Sequence, residues 1–337
     1  MTSVRWGLLS TANINRRVIP AIRESRRGKV AGVASRSLGK AKEYAEKWSI
    51  PAAFGSYEEM LSSGEVDVVY ISLPNHLHAE WTIKALQYGV HVLCEKPFAT
   101  SLNDVEAMIN TSRQTGSVLT EAFMYRHHPQ TKLVGEWVHS GRLGDITLIR
   151  GTFNYQMPAE ERQPNNLNVR LVPEYGGGSL WDVGIYPLSF TQFLMGGPPT
   201  WVFGSQLLAE TGVDDIFAGQ MGYSFESAPE ILAQISSSFI SPYHTFMEII
   251  GTEGRLYLNR PFNNMDKERA ILLTDKKGKT KRIKVPKKSL YLGEVEDMEA
   301  AILDGATPYL GLEETRNHIR TVLALYESAR TGKVVRL

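Results

Sequence analysis

The chain has 337 residues, of which 42% are hydrophobic and 22% charged, and its formal net charge is +1. That length suits two domains of the usual ~100–200 residues, each able to bury its own core, while the near-neutral balance excludes an overall field drawing the chain to nucleic acid or an acidic membrane. No apolar run approaches the ~18 residues of a membrane helix, and the single cysteine, Cys94, excludes an intramolecular disulfide and points to a reducing cytoplasm.

From Met1 to Trp6 there is no basic region followed by an apolar stretch, so this segment reads as the approach to a first strand rather than an export signal. Over the first ~120 residues, short runs rich in Val, Ile and Leu (4–9, 30–34, 66–73, 90–94, 118–122) predict buried parallel strands. Helical patterns at 13–24, 38–48, 57–62, 79–87 and 102–115 alternate with them, and Pro20 predicts a kink or a late start in the first. This alternation predicts an N-terminal Rossmann-type α/β domain, a doubly wound parallel sheet, over residues 1–123.

Beyond residue 124 the texture changes. Segments 146–155, 201–208, 219–225, 231–239 and 246–250 alternate polar with apolar between turn residues, and helical patterns at 294–303 and 312–330 close the chain. This predicts a C-terminal α+β domain (124–337) with an open, mostly antiparallel sheet. The exposed face of that sheet would otherwise be a large patch, so a homodimer or homotetramer through it is expected. The lysine-rich stretch 276–288 lacks interleaved aromatics and reads as a solvated hairpin guarding a sheet edge, not a nucleic-acid surface. The long irregular stretch 154–178 is a candidate functional loop.

Gly7-Leu8-Leu9-Ser10-Thr11-Ala12 follows the first strand and opens the first helix, where a dinucleotide fingerprint belongs. Gly7 and Ala12 match it, and Leu9 replaces the middle glycine. Ser10, Thr11, Asn13 and Ile14 could add donors to a pyrophosphate on the helix N-terminus. The second strand ends in Ser35-Arg36-Ser37, with Lys40 one turn on, and lacks the carboxylate that holds a ribose 2′-hydroxyl. Hydroxyls and a guanidinium suit a 2′-phosphate, so NADP is the expected cofactor. The next strand ends carry Leu73-Pro74-Asn75, with His78, and Glu95-Lys96-Pro97. Both lie where open α/β sheets bind ligands. The eight histidines show no metal-ligand spacing, so no metal is expected.

Glu95-Lys96-Pro97 after a Rossmann strand resembles the hallmark of the glucose-fructose oxidoreductase, inositol dehydrogenase and rhizopine-catabolism (Gfo/Idh/MocA) family. Segments 5–12, 121–129 and 176–187 are similar to its branch of NADP-dependent D-xylose 1-dehydrogenases and dimeric dihydrodiol dehydrogenases, and the likeness covers nearly the whole chain. The resemblance implies an oxidoreductase transferring hydride between a nicotinamide and a sugar-like alcohol, with Lys96 catalytic. Where many members carry histidine after the Asp-x-Gly of segment 182–184, this chain carries Tyr186.

Oxidation of an alcohol releases a hydride and a proton, and the protein must take the proton. Free tyrosine, with a pKa of about 10, is a poor base near neutrality unless a cation favours the phenolate. Tyr186 is therefore the expected proton carrier, Lys96 the cation that tunes it, and Asp182 an orienting carboxylate one helical turn before Tyr186. Asn75, His78 and Glu95 are expected near the nicotinamide ribose; Arg126, Arg170 and Trp181 are expected at cofactor or substrate. Trans-dihydrodiol dehydrogenase, sugar 3-ketoreductase and a non-catalytic NADP-binding regulator stay open as alternatives.

Overall fold

The computed structural model describes residues 3–225, 228–263 and 269–337. In chain order the elements are β1 (Val4–Leu9), α1 (Asn15–Glu24), β2 (Gly28–Ala34), α2 (Leu38–Trp48), β3 (Ala52–Phe54), α3 (Tyr57–Ser62), β4 (Val68–Ile71), α4 (His78–Gln87), β5 (His91–Glu95), α5 (Leu102–Thr115) and β6 (Leu119–Ala122). There follow α6 (Pro129–His139), β7 (Ile146–Gln156), α7 (Ile185–Met195), β8 (Trp201–Leu208), β9 (Asp214–Phe225), β10 (Ala228–Ser238), β11 (Ile240–Gly251), β12 (Gly254–Asn259), β13 (Arg269–Asp275), β14 (Thr280–Val285), α8 (Leu292–Asp304), α9 (Leu312–Thr331) and β15 (Val335–Arg336).

The first sheet has the order β3-β2-β1-β4-β5-β6, parallel throughout, which is the doubly wound arrangement with its switch point between β1 and β4. Helices α2, α3 and α5 start where Ser37, Ser56 and Ser101 each accept a backbone N–H three residues on. Pro20 lies inside α1, which is continuous from Asn15 to Glu24 and starts two residues later than the pattern suggested. The second sheet has the order β14-β13-β12-β11-β7-β10-β9-β8-β15, with only the β7–β10 pair parallel among the described strands. The lysine-rich segment supplies the turn and second strand of the β13–β14 hairpin, and β14 is the edge strand.

The chain divides into two compact units, one running to His127 and taking back Ser289–Thr315, the other comprising His128–Lys288 and Arg316–Leu337. A single cut at 123/124 therefore misses the return of α8. Its Val295 and Met298 are fully buried in the cluster formed by Val4, Trp6 and Leu8, each such side chain contributing about 1.5–3 kcal/mol. Trp6 Nε1 also donates to Glu299 Oε1 over 3.1 Å. No helix among the described residues is long and apolar enough to cross a membrane.

Candidate active site

In a parallel sheet the strand C-termini share one edge, so the first unit's ligand-facing groups are those just beyond β1, β2, β4 and β5. Strand β1 ends at Leu9 and α1 begins at Asn15. Between them Ser10 holds φ 145°, a region glycine favours. In the dinucleotide fingerprint one glycine makes the tight turn, a second admits the pyrophosphate and a third lets the helix approach the strand. By spacing from the tight turn, the fingerprint positions correspond to Ser10, Ala12 and Asn15, three residues later than the reading through Gly7 and Leu9.

Gly7 is inside the strand, where a Cβ would come 2.9 Å from Val66 Cγ1 and 3.0 Å from Met60 Sδ, so its smallness serves packing. Leu9 is wholly buried. Both leave the cofactor set. The Ser10 hydroxyl is also taken inward: it lies 2.8 Å from Ser72 Oγ and accepts the Ala12 N–H at 3.1 Å. Asn15 completes the network, accepting from Ser72 Oγ at 2.7 Å and donating to Ser10 O at 2.8 Å. Thr11, Ala12, Asn13 and Ile14 remain partly or fully exposed. Helix α1 has neither a side-chain cap nor an acid in its first turn, so the turn fits a pyrophosphate.

Beyond β2, Ser35 is buried and its hydroxyl accepts the Ser37 N–H at 3.4 Å, while Arg36, Ser37 and Lys40 are exposed. That donor set fits a 2′-phosphate. Leu73, Pro74 and Asn75 follow β4. His78, expected near the ribose, is fully buried instead, with Nδ1 2.8 Å from Pro97 O and Nε2 2.8 Å from Leu73 O. Its ring braces the Glu95-Lys96-Pro97 turn against the end of β4. Burial is the chief cause lowering its pKa, and the two carbonyl contacts oppose that shift.

Lys96 stands at the tip of β5 in a turn fixed on both sides. The Phe98 N–H donates to Glu121 Oε1 at 2.9 Å, and Pro97 follows a cis peptide bond. Glu95, expected on the ribose, is half-buried at that turn, where it accepts from Tyr70 Oη and, at 3.1 Å, from the Lys96 N–H. Arg126, expected at the cofactor, is fully buried and paired with Glu314, and its guanidinium carbon lies 5.6 Å from the Tyr309 ring. Its burial makes it a structural cation.

Glu294, on the first turn of α8, was not expected from the sequence. It is buried, and neither carboxylate oxygen has a hydrogen-bond partner. Burial first, and the like charge of Glu95 second, push its pKa well above the carboxylate range. A carboxyl raised in the folded state contributes stability that is full below its ordinary range and is lost as pH rises through the folded value. Glu294→Gln mimics the protonated form. It is expected to raise the melting temperature by a few degrees at about pH 8 and to change little at about pH 4.5. The same shift at both pH values, measured by calorimetry, would contradict a protonated Glu294.

The second unit supplies the other groups. Residues Leu180–Gly184 form a π-helical turn leading into α7, a distortion frequent at functional sites. Asp182 sits on this turn, where its Oδ2 accepts from Arg170 Nε at 2.8 Å and from Tyr155 Oη at 3.2 Å. Asp182 is the leading cause that raises the Arg170 pKa, while burial and then Asp182 raise that of Tyr155. Tyr186 opens α7 within electrostatic reach of Arg170. Its ring packs with those of Phe153 and Phe262, each centroid 5.5 Å away. Trp181, expected to wall a ligand, is buried with its ring 5.8 Å from that of Tyr326.

The unit thus brings together Asp182, Arg170 and Tyr155, with Tyr186 close by. Tyr155 was missed, although strand periodicity carries the signal: it lies two residues after Phe153 and shares its face. A carboxylate held by a guanidinium and a phenol suits the binding of vicinal hydroxyls: the carboxylate accepts from one and the guanidinium donates to another. Among the described residues no group of three or more His, Cys, Asp or Glu is arranged to hold a metal.

Residues 4–123 match the model described as "Oxidoreductase family, NAD-binding Rossmann fold", and residues 131–257 match the GFO/IDH/MocA C-terminal domain. The chain belongs to the Gfo/Idh/MocA family of oxidoreductases. Within it, the chain is 35% identical to D-xylose 1-dehydrogenase (NADP(+)) 2 of Haloferax volcanii over 98% of this chain and 99% of that one. The crystal structure of an aldose-aldose oxidoreductase from Caulobacter crescentus with glycerol superposes with a TM-score of 0.88 at 25% identity, covering 99% of this chain and 100% of that one. A 3-ketoreductase from Actinomadura kijaniata in complex with NADP and TDP-benzene gives 0.86 at 26% identity, covering 97% and 98%.

Proposed function

We propose that this Gfo/Idh/MocA oxidoreductase is an NADP-dependent dehydrogenase that oxidises an aldose such as D-xylose at C1, or runs that reaction in reverse. The observation that carries the reading is the Arg170–Asp182–Tyr155 cluster close to Tyr186, a hydroxyl-binding set beside a proton-transfer group. Thr11–Ile14 would hold the pyrophosphate and Arg36, Ser37 and Lys40 the 2′-phosphate. When bound, the nicotinamide supplies hydride transfer.

The chain's own residues handle the proton and the substrate's orientation. Tyr186 takes the proton of the reacting hydroxyl at Oη, and the Lys96 ammonium favours the ionised phenol. Asp182, steadied by Arg170 and Tyr155, accepts from a second substrate hydroxyl. The lone cysteine fits a cytoplasmic setting. Exposed Phe203, Leu207 and Leu232 on β8 and β10 fit a homo-oligomer through the open sheet, and elution as a monomer in gel filtration would contradict that.

The test is an NADP⁺ reduction screen across aldoses, polyols and aromatic trans-dihydrodiols, followed at the nicotinamide absorbance. Pentoses are expected to give the highest kcat/KM. A dihydrodiol or a nucleotide-linked 3-ketosugar outperforming every aldose would move the reaction to that substrate. Tight NADP binding with no turnover of any alcohol would replace the enzyme by a regulator.

A further inference from the structure

We propose that Asp214 is a positioning residue of this enzyme: it fixes the entry of the π-turn Leu180–Gly184 and, through that turn, the placement of Asp182 and Tyr186. This inference rests on the function proposed above. Asp214 opens β9 and is 2% exposed. Its Oδ2 accepts from Ser179 Oγ at 2.7 Å and from the Leu180 N–H at 2.8 Å, and its Oδ1 accepts from Tyr326 Oη at 2.6 Å. A helical turn leaves its first N–H groups without internal partners, and a local side chain usually caps them. Ser179, at the cap position, makes no such bond. A carboxylate 34 residues away in sequence supplies it.

Three further observations tie this carboxylate to the site. Gly178 holds φ 127°, and a Cβ there would stand 2.2 Å from Asp214 Oδ1 and 2.7 Å from Tyr326 Oη, so the seat exists only because the residue is glycine. The same Gly178 donates its N–H to Arg170 O at 2.9 Å and accepts the Asp182 N–H at 3.0 Å, linking the seat to both partners of the Arg170–Asp182 ion pair. Beneath the turn, Ser179 Oγ lies 2.9 Å from Ser237 Oγ, and a Cβ on Gly184 would come 2.8 Å from that same hydroxyl. The π-turn is thus built on a polar base whose centre is Asp214.

The design of the base makes specific demands. Oδ2 must accept two bonds, while the phenol at Oδ1 can reverse its role and accept one instead. Asparagine meets both demands and alanine meets neither. A displacement of about 1 Å at catalytic groups costs on the order of 10²-fold in rate. Asp214→Ala is therefore expected to lower kcat by about 10²-fold with the KM for NADP⁺ within about twofold, because the Rossmann unit is untouched. Asp214→Asn is expected to recover most of that loss.

A second readout does not use turnover: hydrogen exchange of the amides of residues 180–186, under conditions where each variant is folded. Exchange at least about tenfold faster in Asp214→Ala, and near parental in Asp214→Asn, supports the proposal. Should Asp214→Ala not fold, Ser179→Ala removes one donor, keeps the Leu180 cap, and is expected to show the same pattern at smaller amplitude. Unchanged exchange together with kcat within about twofold of the parent would overturn the proposal. A parent inactive on every alcohol would overturn the proposed function, while the exchange comparison would still decide whether Asp214 holds the turn.

Discussion

Lys96→Met is expected to lower kcat by about 10³-fold, within the range seen for positioned proton-transfer groups. The change removes the ammonium and keeps an unbranched side chain. Backbone and neighbouring side-chain bonds hold the turn around it. His78 braces Pro97, Glu121 holds the Phe98 N–H, and Tyr70 and the Lys96 backbone hold Glu95. The melting temperature should therefore move by no more than about 2 °C. Steady-state kinetics with NADP⁺ and the best aldose, with a melting curve beside it, provide the measurement. A folded variant retaining more than about a tenth of the parental kcat would remove Lys96 from the chemistry.

Arg36→Ala is expected to lower the ratio of kcat/KM with NADP⁺ to that with NAD⁺ by about 10- to 100-fold. Hydrogen bonds to a charged group contribute about 1.5–3 kcal/mol, and each 1.4 kcal/mol is tenfold. Arg36 is exposed just past β2, Ser37 caps α2 and Lys40 stands one turn on, so the arginine has no structural bond to lose in this turn. The loss should appear in the KM for NADP⁺ and leave catalysis with NAD⁺ nearly unchanged. An unaltered ratio would assign 2′-phosphate recognition to other residues.

The parallel strands were legible because both their faces are buried, which writes them as uninterrupted apolar runs such as Val68–Ile71. The Rossmann order and the strand-end motifs followed from that alternation. The three-residue strand β3 was too short to show a period, and α6 and β12 were hidden among turn residues. The fingerprint was misplaced because glycine identity was read where backbone conformation decides. Ser10 occupies the tight turn with φ 145°, and Gly7, the residue that looked right, is a packing glycine in mid-strand.

Roles failed where two groups distant in sequence meet. His78 and Arg126 have the chemistry of ligand contacts, yet both are fully buried, where Pro97 and Glu314 engage them. No periodicity could say that Asp214 caps residue 180, or that α8 returns to bury Val295 beside Trp6. Asp182, in contrast, stands in a motif, and the structure pairs it with Arg170, itself a candidate from the sequence, and with Tyr155, which the sequence did not single out.

The most direct test of the central claim is a double-mutant cycle on kcat with Lys96→Met and Tyr186→Phe. If the ammonium and the phenol act on one proton, either single change disables the same step. The double variant should then be no more than about threefold slower than the slower single variant, a strongly non-additive result. Losses that multiply would show two residues working independently and contradict this account.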